Sequence, residues 1–211
     1  MIFQDLFEEY YQIVIKADQG FKDVKLEFPD EVRCKNGCSD CCHAVFGLFL
    51  IEAAFIKEQF SGITPSEREK AVLRCNRSEE DLSRLEEKLK NFSDDPQMAA
   101  YTMSRERVRC PLLNEKEECV LYDYRPVTCR VYGVPSLIRG KVHVCAKSGF
   151  KKGMSYPAYS MDEVQRQLYM LSRDLLERLS PQTDKDNASL LISMPRALKT
   201  PLEEIISENF G

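Results

Sequence analysis

A chain of 211 residues with 43% hydrophobic and 30% charged residues has the composition of a soluble globular protein, and it is long enough to bury a core without disulfides. Its longest uncharged run, Cys41 to Ile51, falls well short of the ~18 residues a membrane helix needs, which argues against membrane association. The net charge of −4 hides an uneven distribution: Arg105 to Lys152 carries 11 Lys+Arg against 5 Asp+Glu, a local +6 that leaves −10 for the flanks.

Taken in chain order, Phe3, Phe7, Tyr10, Val14, Ala17, Phe21, Val24 and Phe28 recur in steps of three and four, which predicts a core-facing helix ending before Pro29. A second apolar segment, Leu48 to Phe60, stops at Ser61-Gly62. The third helix opens at Thr64-Pro65-Ser66-Glu67, with Thr64 as the cap, Pro65 at the first helical position and Glu67 completing a capping box. Its stripe runs through Val72, Cys75, Leu82, Leu85, Leu89 and Phe92. From Cys110 to Cys145 the texture changes. Cys119-Val-Leu-Tyr and Ile138 to Val144 read as short strands, Gly140 supplies a turn, and Pro111, Pro126 and Pro135 interrupt any long helix. Helical pattern returns at Ser160-Met-Asp-Glu163, a second capping box, followed by Val164, Leu168, Leu171, Leu175 and Leu179. Pro181 to Asn187 is a polar linker, and Thr200-Pro-Leu-Glu203 starts a last short helix.

These elements predict a mainly α fold in which helices enclose an irregular loop-and-hairpin cysteine-rich metal centre. The expected organisation is a single domain, 1–211. Its metal-binding core covers 30–60 and 105–152, a helical insert covers 64–95, and a C-terminal helical segment covers 160–211.

Nine cysteines carry the chemistry. The N-terminal run has no positive leader and no small-residue cleavage site, so the expected location is cytoplasmic. In a reducing compartment, clustered thiols point to metal or redox work rather than structural disulfides. Two histidines, and no HExxH, Walker-A or GxGxxG pattern, exclude imidazole-rich hydrolases and the common nucleotide sites. Cys34, Cys38, Cys41 and Cys42 crowd into nine residues, with Gly37 where a loop wrapping a metal needs freedom. Cys110, Cys119, Cys129 and Cys145 follow at wide spacing, so eight thiols can serve two four-thiolate sites or one site with spare redox cysteines. Cys75 lies on a helical stripe and reads as a small buried hydrophobe. Vicinal Cys41 and Cys42 read as serving different irons, different sites, or one ligand with one neighbour.

A tight run of cysteines plus distant ones fits an iron–sulfur cluster, expected as [4Fe-4S], better than the paired short knuckles of structural zinc; Zn²⁺ is the alternative. Arg125 and Arg130 flank Cys129, where a guanidinium can donate to cluster sulfur or to a bound carboxylate, so both are candidate anion- or substrate-binding residues. His43, directly after the first cluster, is a candidate extra ligand or a helix-start residue. The basic run Lys147 to Gly153 lacks the aromatic interleaving of a nucleic-acid site.

The cysteine-bearing stretches Cys34…Cys38-Ser-Asp-Cys41-Cys42, Cys110-Pro-Leu-Leu and Cys119-Val-Leu-Tyr-Asp-Tyr-Arg125-Pro-Val-Thr-Cys129-Arg130-Val-Tyr-Gly133 resemble the YkgJ-like cysteine-cluster family, named for a CxxCxxCC motif and described as zinc- or iron-chelating. Here the first gap is three residues rather than two, and His43 stands where relatives commonly have Arg. The resemblance implies that Cys34, Cys38, Cys41, Cys42, Cys110, Cys119, Cys129 and Cys145 all belong to the metal centre. It also implies an electron-transfer or redox-linked role, with a redox partner or anionic small molecule. The alternatives are a zinc-binding structural or metal-carrier protein, or an enzyme similar to S-adenosylmethionine-dependent lysine N-methylases.

Overall fold

The computed structural model describes residues 3–35 and 37–210, apart from the side chains of 209 and 210; Met1, Ile2, Asn36 and Gly211 lie outside it. The fold is mainly helical. Among the described residues it contains α1 (Gln4–Glu27), α2 (Leu50–Ser61), α3 (Pro65–Lys90), α4 (Pro96–Arg105), α5 (Val127–Val131), α6 (Met161–Leu179), α7 (Met194–Lys199) and α8 (Leu202–Phe210). Strands β1 (Ser136–Ile138), β2 (Lys141–His143) and β3 (Tyr159–Ser160) form one small sheet in the order β2-β1-β3, with β1 antiparallel to β2 and parallel to β3.

The stripe expected on α1 is the buried one. Phe7, Tyr10, Val14, Ala17 and Val24 are in the core with Leu6 and Ile13, while Phe21 and Phe28 pack against its edge. The helix closes with the Phe28 amide donating to the Val24 carbonyl, one residue before Pro29. Helix α2 is apolar nearly all round because it lies centrally, packed on α1, α6 and α7. Thr64 caps α3 as its sequence requires, accepting from the Glu67 amide, with Pro65 in the first turn. Among the described residues no helix is long and apolar enough to cross a membrane.

Three local expectations are corrected. Cys119-Val-Leu-Tyr is not a strand. A single antiparallel bridge, Leu113 with Cys119, gives way to a 3₁₀ turn at Tyr122–Tyr124, because the Tyr124 amide turns back to the Leu121 carbonyl ahead of Arg125-Pro126. Ser160 occupies the N-cap position of α6, but its side chain makes no capping bond, since its backbone is tied into β3 opposite Leu137. Asp162 instead accepts from the Arg139 and Gly140 amides and so holds the β1–β2 turn, where Gly140 takes φ +71°. The stretch expected to be irregular contains α5, which carries Cys129. Helices α4 and α7 have no counterpart among the expected elements, although Asp95-Pro96 and Ser193 cap them in the usual way.

One buried carboxylate joins the central helix to α5. Glu52, 3% exposed, accepts from the Phe49 amide at 3.2 Å and from the Val127 amide at 3.1 Å, satisfying first-turn donors of both helices. Burial pushes its carboxyl up to about 7, and the two amide bonds only partly oppose this. The native state therefore holds a proton that the unfolded chain releases near 4.5. This contribution is fully present below 4.5 and is lost as pH rises toward 7, an effect on the order of 3 kcal/mol. Urea unfolding of wild type and Glu52→Gln between pH 4.5 and 8 checks this. The wild-type-minus-variant difference in stability is expected to fall across that window; a pH-independent difference contradicts it.

Candidate metal centre

Three chain segments assemble the cysteines. Residues 42–44 pair antiparallel with 107–110: Ala44 bridges Arg107, the Val108 amide donates to the His43 carbonyl at 3.1 Å, and the Cys110 amide donates to the Cys42 carbonyl at 2.7 Å. This register sets Cys110 beside Cys42. The Leu113–Cys119 bridge then folds Cys119 back toward Cys110, and α5 brings Cys129 over the same space. From behind, α3 fixes both flanks of Cys110, with Arg74 Nε donating to the Pro111 carbonyl at 2.8 Å and Ser78 Oγ to the Arg109 carbonyl at 2.7 Å.

The result is a cavity of about 70 Å³ with five thiols, Cys41, Cys42, Cys110, Cys119 and Cys129, on its wall. Phe46, Leu82, Leu112 and Met194 are among its apolar lining residues, and no carboxylate or imidazole is among them. All nine cysteines are unpaired thiols. Among the described residues no three Cys, His, Asp or Glu side chains already converge at metal-bonding distance; the five thiols surround a space instead of closing on a point. As a donor set they suit soft-ligand chemistry: zinc, copper(I) or an iron–sulfur cluster.

The protons in this wall are shared. The neighbouring Cys129 and Cys42 thiols draw the pKa of Cys41 down, and the same interactions push Cys42 and Cys129 up. Burial lifts Cys110 to about 12 and raises Cys119 as well. Arg125 lines the cavity, and its charge lowers both Cys41 and Cys119. Its guanidinium stacks over the Tyr122 ring at 3.7 Å, leaving Nε buried with no hydrogen-bond partner. An orphaned cationic donor at a thiol-lined cavity is the arrangement that an anionic metal–thiolate group completes.

The two candidate arginines part company here. Arg130, 7% exposed, is turned away into the fold, donating to Asp18 Oδ2 on α1 at 2.7 Å, to the Arg125 carbonyl at 2.8 Å and to the Asp123 carbonyl. His43 Nδ1 lies 3.0 Å from the Ser39 carbonyl at the end of the 3₁₀ helix Asp40–His43. Cys75 is fully buried on α3 and is not on the cavity wall, but α3 lies behind Cys110, close enough for a Cys75 charge to be felt there.

Cys34, Cys38 and Cys145 are not on the cavity wall. Cys34 is raised to about 11 by burial and then by the charges of Cys38, Cys145 and Cys41. Cys145 Sγ donates to Asp40 Oδ2 at 3.3 Å. Asp40 was not among the sequence candidates; its signal was an acidic residue directly before the Cys41-Cys42 pair. Arg107 donates to its Oδ1 at 2.7 Å, and Lys147 Nζ lies 3.6 Å from the same oxygen. Burial opposes ionisation of Asp40, yet the Cys145 bond, Arg107 and Lys147 together hold its carboxyl below the usual range. The basic segment is thus spent in part on this carboxylate and in part on the cavity.

Helices enclosing a wall of thiols, with the half-buried Arg125 cation lining it, place the molecule among cysteine-rich metal-chelating proteins. The chain belongs to the CxxCxxCC family, described as "Putative zinc- or iron-chelating domain", whose model matches residues 33–152, more than half of its length. No curated protein and no solved structure matches the chain.

Gly133 reports how tightly Cys34 is held. A Cβ at this position lands 2.1 Å from Cys34 Sγ and 3.3 Å from the Phe21 ring. Gly133→Ala is expected to displace Cys34 and to destabilise the fold by roughly 1–3 kcal/mol. Urea denaturation reads this directly, and an unchanged midpoint excludes the packing described.

Proposed function

We propose that the cavity lined by Cys41, Cys42, Cys110, Cys119 and Cys129 holds an iron–sulfur cluster, and that the protein works in electron transfer. The observation that carries this reading is a space of about 70 Å³ ringed by five thiols. A single zinc ion draws four sulfurs to about 2.3 Å and encloses no such volume. A space this large takes several waters, each needing roughly 10–15 Å³ by this measure, and suits a polynuclear group better. Such a cluster, when bound, supplies one-electron chemistry. Cys41, Cys42, Cys110, Cys119 and Cys129 would bind as thiolates, so loading would release protons and affinity would rise with pH. Arg125 would donate its orphaned Nε–H to the resulting anionic centre, and Tyr122 holds its guanidinium plane in place. Apolar Phe46, Leu112 and Met194 limit water at the sulfurs, a lever on reduction potential.

Anaerobic purification with iron and sulfide analysis tests this. Wild type is expected to be coloured, with iron and sulfide in near-equal amounts and an absorption that bleaches with dithionite. Cys110→Ser, Cys119→Ser and Cys129→Ser should each lose most of the iron per folded chain. Cys75→Ser should keep it and lose only packing energy, on the order of 1 kcal/mol. A colourless protein with stoichiometric zinc and no iron after reconstitution sinks the cluster and leaves zinc chelation standing.

A further inference from the structure

We propose that the open edge of β2 is a docking site for an extended acidic segment of another protein, which adds to the small sheet as a further strand. Nothing in this depends on what fills the cavity. In the order β2-β1-β3, β2 has β1 on one side and, among the described residues, no strand on the other. All three of its residues, Lys141, Val142 and His143, are exposed. A strand exposed along its whole length overhangs the body and presents two faces and an edge.

The turn sets what the edge presents. Arg139 at φ +50° and Gly140 at φ +71° both take the left-handed region, as a two-residue type I′ hairpin loop requires. Asp162 fixes that turn, spending its two oxygens on the Arg139 and Gly140 amides. Such a loop closes on Ile138 and Lys141 as a hydrogen-bonded pair, so the next pair, Leu137 and Val142, is a non-hydrogen-bonded one. The Val142 N–H and C=O therefore point away from β1, toward the free edge. Main-chain groups presented in this way are what an added strand bonds to.

The side chains decide which strand fits. By the register, Lys141 and His143 stand on the face of Ile138 and Ser136, and Val142 on that of Leu137. Val142 is 58% exposed, and Val144, just beyond β2, is 47% exposed. From Arg139 to Lys152 the chain carries five Lys and Arg and no Asp or Glu. Of these five, only Lys147 has a carboxylate partner among the described residues, Asp40. An incoming strand that alternates apolar with acidic residues sets apolar side chains beside Val142 and carboxylates beside Lys141 and His143. A second copy of this chain fits less well, because β2 paired with β2 offers Lys141 no carboxylate. Nucleic acid also fits less well, because Val142 and Val144 give a base no aromatic ring to stack on.

The test uses the full chain and labelled peptides of about eight residues, alternating Val with Glu or Val with Lys, read by fluorescence anisotropy at low salt. The Val–Glu peptide is expected to bind and the Val–Lys peptide is not. Lys141→Glu should weaken binding at least tenfold. Val142→Pro should do the same, because proline removes the outward N–H and spares the ladder to β1. Circular dichroism confirms folding of both variants. Should Val142→Pro not fold, a Val–Glu peptide N-methylated at alternate residues removes bonds from the other side of the same edge and should bind at least tenfold more weakly. Cys119→Ser, which alters the cavity, should bind the Val–Glu peptide as wild type does. No binding of the Val–Glu peptide, equal binding of both peptides, or wild-type affinity in Lys141→Glu overturns the proposal. So does dimerisation of the chain in sedimentation that Val142→Pro abolishes, which gives the edge to a second copy. A single-stranded oligonucleotide that binds more tightly than the Val–Glu peptide, and is lost in Lys141→Glu but not in Val142→Pro, overturns it in favour of nucleic acid.

Discussion

The short antiparallel pairing of 42–44 with 107–110 is the constraint on which the cysteine geometry depends. The two cysteine-bearing stretches are separated in sequence by α2, α3 and α4, so bringing them together costs loop-closure entropy that local turns cannot recover. Packing recovers it: α2 is buried on nearly every side, and α3 reaches from α7 to the carbonyls on either side of Cys110. A slip of one residue in the pairing would turn Cys110 out of the cavity, since neighbouring side chains in extended chain face opposite ways. The clamps by Arg74 and Ser78 make that slip expensive.

With the register fixed, desolvation decides the chemistry. Crowded thiols in an apolar wall cannot all ionise easily, and Cys41 is the one whose pKa its thiol neighbours and the Arg125 guanidinium draw down. Burial raises Cys110, and the interaction with Cys41 followed by burial raises Cys129. Metal binding at such a wall exchanges protons for metal, so the burial that raises these thiols also sets the pH dependence of loading. Glu52 is part of the same construction, since its carboxylate sits at the first turn of the helix that carries Cys129.

Much of this was legible in the sequence, and the parts that were not have physical reasons. The stripe of α1, the cap of α3 and the helical return at α6 follow from period and capping chemistry, which are local. Short α5 and α7 are set by tertiary contacts that no window of five or six residues reveals. The Cys119 run has strand-like composition, but β-propensity expresses itself only where a partner strand runs alongside, and here a single bridge is offered. The vicinal pair is the most instructive case. Successive side chains diverge by half a turn in a strand but by only about a third of a turn in a 3₁₀ helix, and Asp40–His43 is one. Cys41 and Cys42 therefore line the same cavity, which spacing alone left open.

The division of the eight clustered cysteines follows from that same 3₁₀ turn. It sends the Cys41 and Cys42 sulfurs to one side and the Asp40 carboxylate to another, where Cys145 meets it. Arg107 closes the arrangement, because its guanidinium holds both the carbonyl and the Oδ1 of Asp40 while its backbone belongs to the strand-like segment that presents Cys110. Four of the cations between Arg105 and Lys152 have their partners around the cysteines. Arg107 and Lys147 serve Asp40, Arg109 pairs with Glu117 beside the Cys119 turn, and Arg125 faces the thiol cavity. Part of a segment that reads as a basic surface in the sequence therefore lies, in the folded chain, against the Asp40 carboxylate and the thiol-lined cavity.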